Sequence, residues 1–436
     1  MRKINHHVHS ILACGVLLFI TTFASCSGSD GSEEPQPSPG VPVKSLAVDP
    51  ATTYQTIAGF GGANQMWGAQ FPSAADMKKA FGTDESDLGL SIFRIRVASN
   101  PDEWSAVVNV TKEARKHGAK ILASPWSPPP ALKSNGSDIG GHLLEENYEA
   151  FAKYLNEFIA FMASNGAPID AISIQNEPDI KVDYESCDWT SSQIKTFLKE
   201  YGHLIEDVQV AAPESFNFNP SFTNDILNDD AAAAQLDIVA GHIYGSGLGP
   251  FAMAEQKGKQ IWMTEYLMNQ NANANWGQLS EQVIWDETLQ MLGTMHESMN
   301  HNWNAYIWWY LKRYYSFLGD GTQGTTSGEI LKRGYAFSHF SKFIRPGFVR
   351  VKADFQQGTQ VTAYQGDGKT VIVLLNSGIT PVSNIGLTVG GTTPASAIMY
   401  ETTISSNRTK TIIDTQDGNL ILSLAPKSIT TVVVEN

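Results

Sequence analysis

Eight short apolar runs, rich in β-branched residues and alternating with segments of helical spacing, leave this chain few folds to choose from. The runs are Thr56 to Ala63, Ser91 to Ser99, Lys120 to Pro125, Ala171 to Asn176, Gln209 to Pro213, Ile238 to Tyr244, Gln260 to Glu265 and Asn304 to Tyr310. Strands this apolar suit a parallel sheet, which helices cover from outside. Between them lie segments such as Pro101 to His117, Glu145 to Asn165, Ser191 to Glu206 and Leu279 to Ser298. There apolar residues recur every three or four positions, as in Phe151, Tyr154, Leu155, Phe158, Ile159 and Met162. The fold class is therefore α/β, and residues 56–344 are predicted to close into a (β/α)8 TIM barrel.

Beyond Ile344 the rhythm changes. Phe348 to Val351, Gln360 to Tyr364, Thr370 to Leu375, Ile385 to Val389, Ala397 to Glu401, Leu420 to Leu424 and Ile429 to Val434 are strand-like runs broken by Gly, Asn, Asp and Pro. That pattern predicts an antiparallel β-sandwich side domain over residues 345–436. Residues 43–55, with Leu46 and Val48, read as a strand that precedes the barrel, joins the side domain and ties the chain's ends together.

The N-terminus reads as an export signal. Arg2 and Lys3 precede an apolar stretch, Ile11 to Phe23, that is too short to span a bilayer and runs into Ala24-Ser25-Cys26. Cleavage of residues 1–25 would expose Cys26 for lipidation, and residues 26–42, rich in Ser, Gly, Glu and Pro, read as a disordered tether. The expectation is an exported lipoprotein, held at the outer membrane or cell surface with a periplasmic face as the variant; plain secretion is the alternative. Of the three cysteines only Cys187 then stays in the folded body, so no intramolecular disulfide can form. A net charge of −14 without any Lys/Arg-rich run excludes a protein that tracks nucleic-acid phosphates. No His/Cys cluster points to a metal, His242 reads as a hydrogen-bonded barrel histidine, and neither cofactor nor partner subunit is expected.

Two of the strands end on glutamate: Ala171-Ile-Ser-Ile-Gln-Asn-Glu177-Pro-Asp179 and Gln260-Ile-Trp-Met-Thr-Glu265. In a parallel barrel that is the catalytic end, and the fourth and seventh strands face each other across its mouth. A protonated carboxyl and an ionised one are the pair that cleavage of a glycosidic bond requires. Pro178 should bias Glu177 toward an extended backbone, and Asn176 beside it offers an amide to a sugar hydroxyl. Aromatic side chains gather at the same ends: Trp67, Trp126, Trp189, Tyr244, Trp303, Trp308, Trp309 and Tyr310. Such rings stack on the apolar faces of sugars, although any single one could equally belong to the core.

These residues carry a resemblance. From Val43 to Asn436 the chain resembles glycoside hydrolase family 30, subfamily 8, the bacterial glucuronoxylanases. The blocks that carry it are Gly59-Phe-Gly-Gly62, Ala123-Ser-Pro-Trp-Ser-Pro-Pro129, the Glu177 strand, Ala212-Pro-Glu-Ser215, Trp262-Met-Thr-Glu265, Ala305-Tyr-Ile-Trp-Trp-Tyr310 and Lys332-Arg-Gly-Tyr335 through Phe343. The resemblance implies a retaining endo-β-1,4-xylanase, with Glu177 as acid/base and Glu265 as nucleophile. It also implies that Arg313, with Tyr315 nearby, meets the glucuronic acid branch of glucuronoxylan. A guanidinium fork suits a carboxylate, while the competing role for Arg313 is an ion pair with a loop acid such as Asp320. Lys312 and the loop after Glu265 depart from the family pattern. Alternatives are a related retaining glycosidase acting on β-1,6-glucan, glucosylceramide or unbranched xylan, and a surface lipoprotein that binds glycan without cutting it.

Overall fold

In the computed structural model, residues 44–68, 71–268, 276–355 and 358–435 are described. The export signal, Cys26, the tether and most of the loop after Glu265 lie outside them. The first strand, β1 (Lys44–Thr56), precedes eight parallel strands: β2 (Gly59–Ala63), β3 (Ile92–Val97), β4 (Lys120–Pro125), β5 (Ala171–Ser173), β6 (Gln209–Ser215), β7 (Ile238–His242), β8 (Gln260–Glu265) and β9 (Ala305–Trp308). They pair in sequence order, and β9 returns to β2, so the barrel is closed.

Strand parity decides what each face does. On β3 the outward residues Phe93, Ile95 and Val97 join the large cluster under the helices, while inward Ile92 meets Leu122, Ala171, Ala211, Ile238, Ala240, Trp262, Ala305 and Ile307 in the barrel's interior. Alanines from several strands leave room there for Trp262, so the interior is packed rather than hollow. Above that layer the inward face of β3 turns charged, at Arg94 and Arg96. A buried strand that carries arginines toward the axis must deliver them to anions.

Eight further strands follow: β10 (Val349–Asp354), β11 (Gln360–Gly366), β12 (Lys369–Asn376), β13 (Val382–Val389), β14 (Ser396–Thr402), β15 (Thr409–Asp414), β16 (Ile421–Leu424) and β17 (Ser428–Glu435). With β1 they form one nine-stranded sheet in the order β15-β14-β17-β12-β11-β10-β1-β13-β16. Strand β1 runs antiparallel to β10 and parallel to β13, which makes the sheet mixed rather than wholly antiparallel. Leu46, Val351, Ile372, Leu387, Leu422 and Val432, from strands far apart in that order, share one apolar cluster; the sheet therefore curls over itself into a sandwich. His339, on the helix Lys332–Ser341, is buried between the hydroxyls of Thr402 and Thr431, each 2.8 Å from a ring nitrogen, and fastens barrel to sheet. Among the described residues no helix is long and apolar enough to cross a membrane.

Candidate active site

Two β-bulges aim the site. Strand parity alone would send Pro213 and Thr264 toward the axis. The β6–β7 register instead slips between Pro213 and Ser215, and the β7–β8 register slips so that His242 pairs with Glu265. Bulges re-aim side chains, and here each one turns a carboxylate into the mouth. Glu214, at the first bulge, has φ +53, and Glu177, past the end of β5, has φ +46. The extended backbone expected of Glu177 ahead of Pro178 is therefore wrong. Its amide is held at 3.0 Å by the carbonyl of Glu214, a tertiary anchor that overrides the local bias. A left-handed backbone at two glutamates is strain of order 1 kcal/mol or more each, the kind found where function over-determines geometry.

At the centre is Arg94, wholly buried. Its Nη1 donates to Glu265 Oε2 at 2.6 Å and its Nη2 to Asn176 Oδ1 at 2.6 Å, and Nη2 lies 3.3 Å from Glu214 Oε1. The Tyr244 hydroxyl donates to the other oxygen of Glu265 at 2.8 Å. Glu265 is thus fixed at both oxygens. Glu177 Oε1 lies 2.9 Å from His242 Nδ1, while Oε2 faces the Tyr184 hydroxyl at 3.4 Å. One oxygen of Glu177, one of Glu265 and a ring nitrogen of His242 lie within 4.8 Å of one another. Such a donor set could hold a cation, and the Arg94 guanidinium already brings positive charge to it.

Burial raises the proton affinity of Glu177, and the charge of Glu265 adds to the rise; His242 and Arg94 pull it back only in part. Burial works against a charged His242 ring, but the carboxylates of Glu265, Glu177 and Glu214 push it up to about 9. Glu214 is the reverse case: burial would raise it, and Arg94 with His242 hold it down to about 2. Glu177 is thereby inclined to keep its proton, as a general acid must, while Glu214 behind it is held ionised.

The aromatics separate into two groups. Trp126 forms the floor, 2% exposed, with Arg94 at 4.8 Å from its ring, Trp67 edge-on at 5.5 Å and Trp309 at 6.0 Å. Tyr310 stacks on Trp309 at 4.1 Å. Trp67 is 37% exposed, and its indole N–H donates to Glu185 at 3.0 Å, a carboxylate that also pairs with Arg96. These rings line the mouth beside the glutamates. Trp189, Trp303 and Trp308 do not; all three are core, Trp303 against Phe218 and Phe251, Trp189 against Tyr148 and Phe197, and Trp308 against Tyr266 and Phe317.

After β9 the chain passes Arg313, whose side chain stays 37% exposed while Nη1 lies 3.4 Å from Asp320 Oδ2. Tyr315 lies nearby, mostly buried, and a cavity of about 570 Å³ opens beside Tyr314 and Tyr315, lined also by Glu281, Glu329 and Lys332. Lys312 points elsewhere: its Nζ sits 2.7 Å from Asp76, the acid that completes the capping box of the helix Ala74–Phe81. Sequence reasoning passed over Arg94, Glu214 and Tyr184 and undervalued His242. Arg94 carried a usable signal, since an arginine at an inward position of an apolar strand demands a carboxylate.

No family model matches the chain. The chain is 36% identical over 413 residues to the glucuronoxylanase XynC of Bacillus subtilis, covering 91% of this chain and 94% of that protein. Among solved structures, the glycoside hydrolase family 30 subfamily 8 xylanase Xyn30A of Clostridium acetobutylicum is similar at a TM-score of 0.80 and 33% identity, over 90% of this chain and 100% of that one. A GH30 endoxylanase of Clostridium papyrosolvens C71 is similar at 0.78 and 32%, with the same coverage.

Proposed function

The chain belongs to glycoside hydrolase family 30, subfamily 8, and we propose that it is an endo-β-1,4-xylanase that hydrolyses glucuronoxylan with retention of configuration. The observation that carries the mechanism is the close approach of Glu177 and Glu265, whose nearest oxygens fall within 4.8 Å. Carboxyl groups about 5 to 5.5 Å apart suit direct attack, whereas inversion needs roughly 6.5 to 9.5 Å to admit water. Glu265, held by Arg94 and Tyr244, attacks the anomeric carbon and forms a glycosyl ester as the glycosidic bond breaks. Glu177 gives its proton to the departing oxygen. Glu177, now a carboxylate, then takes a proton from water, whose oxygen attacks the same carbon, frees Glu265 and restores the original configuration. Asn176, held by Arg94, would meet a hydroxyl next to the reacting carbon. Release of reducing sugar from glucuronoxylan, with NMR of the first-formed anomer, tests the reading; an inverted first product overturns it.

Arg313 supports recognition of the acidic branch, because its guanidinium is partly exposed and a neutral glycan would give it no charge to meet. Arg313→Ala should lose about tenfold or more on branched glucuronoxylan, given about 1.5–3 kcal/mol for a hydrogen bond to a charged group, and much less on unbranched xylan. Arg313→Lys should recover part of the loss, since an ammonium lacks the fork. Equal losses on the two polymers would show that Arg313 serves Asp320 alone.

The N-terminal pattern ending in Ala24-Ser25-Cys26 supports export and lipid anchoring at that cysteine. Cys26→Ser should move the protein from the membrane fraction to the soluble one, and an unchanged distribution rejects the anchor.

A further inference from the structure

We propose that Glu214, a third carboxylate that substrate does not reach, is a positioning residue for the acid/base: it holds the His242 ring from the far side, so that Nδ1 donates to Glu177 Oε1 and Glu177 Oε2 is left to carry the transferred proton. The proposal rests on the assignment of Glu177 as acid/base.

Glu214 is wholly buried at the β6 bulge, and its carbonyl already anchors the Glu177 amide. Its Oε1 lies 3.9 Å from His242 Nε2, an ion-pair distance longer than a hydrogen bond. Among the described residues neither His242 Nε2 nor either carboxylate oxygen of Glu214 has a partner at full hydrogen-bond geometry, although Ser173 approaches Glu214 and Arg94 Nη2 lies 3.3 Å from it. The far nitrogen of the ring therefore faces this one acid. The groups around His242 are Glu177 at Nδ1, Glu214 at Nε2, Glu265, the Arg94 guanidinium between the last two, and Tyr244, edge-on with its ring at 6.1 Å.

Charge within this buried cluster then balances in one state. With Glu177 protonated, two carboxylates, Glu214 and Glu265, face two cations, Arg94 and an imidazolium at His242. A ring kept charged by the carboxylates of Glu265 and Glu214 carries a proton on both nitrogens and can only donate. A neutral ring could instead present a bare Nδ1 and accept the Glu177 proton at Oε1. That proton would be turned away from the leaving group. Glu214 thus decides which Glu177 oxygen is acidic without meeting the sugar.

Glu214→Gln keeps the shape and removes the charge. Its kcat and KM should be measured between pH 5 and 9 on glucuronoxylan and on an aryl xylobioside whose phenol leaves without a proton, beside wild type, Glu214→Asp and Glu177→Ala. The expected result is an unchanged KM, a kcat on xylan lower by about tenfold or more, and a smaller loss on the aryl substrate. The alkaline limb of kcat/KM should move down by about one pH unit, because deleting a negative charge lowers the proton affinity of every group it faces. Glu214→Asp should fall between the two. An unmoved limb, or equal losses on both substrates, overturns the proposal, since a merely structural Glu214 would leave the limb in place and cost both substrates alike. If Glu214→Gln does not fold, Glu214→Asp decides: a wild-type limb overturns the proposal and a partial shift supports it. If Glu177→Ala itself loses both substrates alike, the fault lies in the acid/base assignment rather than in Glu214.

Discussion

Glu265→Ala should end turnover on every substrate, by roughly ten-thousandfold or more, while Glu177→Ala should lose about a hundredfold to ten-thousandfold on xylan and form the glycosyl-enzyme almost normally from a substrate with an activated leaving group. Under the proposed mechanism the asymmetry follows from what each carboxylate supplies. Glu265 provides the atom that bonds to the anomeric carbon, and none of its neighbours can replace it: Arg94 and Tyr244 are donors, each already spent on holding it. Glu177 provides only a proton, and the need for a proton vanishes when the leaving group is stable as an anion. Its second task, taking a proton from water, should then limit the rate, so that Glu177→Ala shows a burst of released phenol followed by slow turnover. Azide, a small anion that needs no base, should speed that second phase and yield a glycosyl azide of retained configuration. Equal losses of the two variants on both substrate types would overturn these roles.

Much of this was legible because it rests on periodicity and strand ends. Eight apolar runs mark eight strands, and glutamates that close two of them fall on opposite sides of one mouth. The bulges were not legible. Nothing in Ala212-Pro-Glu-Ser215 or Trp262-Met-Thr-Glu265 announces that the register slips by one residue, yet those slips bring Glu214 and Glu265 to the axis where parity would have placed Pro213 and Thr264. The backbone of Glu177 shows the same limit, since the local preference imposed by Pro178 gives way to a hydrogen bond with a residue on the next strand. Tryptophans misled for another reason: Trp189, Trp303 and Trp308 are as large and as close to strand ends as Trp67 and Trp309, and only packing separates platform from core. Strand β15 was missed because it lies at the sheet's edge with nearly every residue exposed, so it shows no alternation to detect.

Arg94 is where fold and chemistry meet, and Arg94→Met should damage both at once. The guanidinium is wholly buried and faces two carboxylates, Glu265 at 2.6 Å and Glu214 at 3.3 Å, besides Asn176. Removing one partner of a buried ion pair leaves an uncompensated charge, and the expected loss of stability is about 3–5 kcal/mol, visible in a denaturant melt. Activity should fall further than that loss explains, even where the variant is fully folded, because Glu265 and Asn176 lose their common support and the nucleophile is free to turn. The two effects can be separated. Adding Glu214→Gln to Arg94→Met replaces one stranded carboxylate with a neutral amide of the same shape, so the double variant should regain part of the stability. It should regain none of the activity, since Glu265 still lacks its donor. A double variant no more stable than Arg94→Met alone would mean that Glu214 is not balanced by Arg94. A double variant that recovered turnover would mean that Arg94 serves the fold and not the nucleophile.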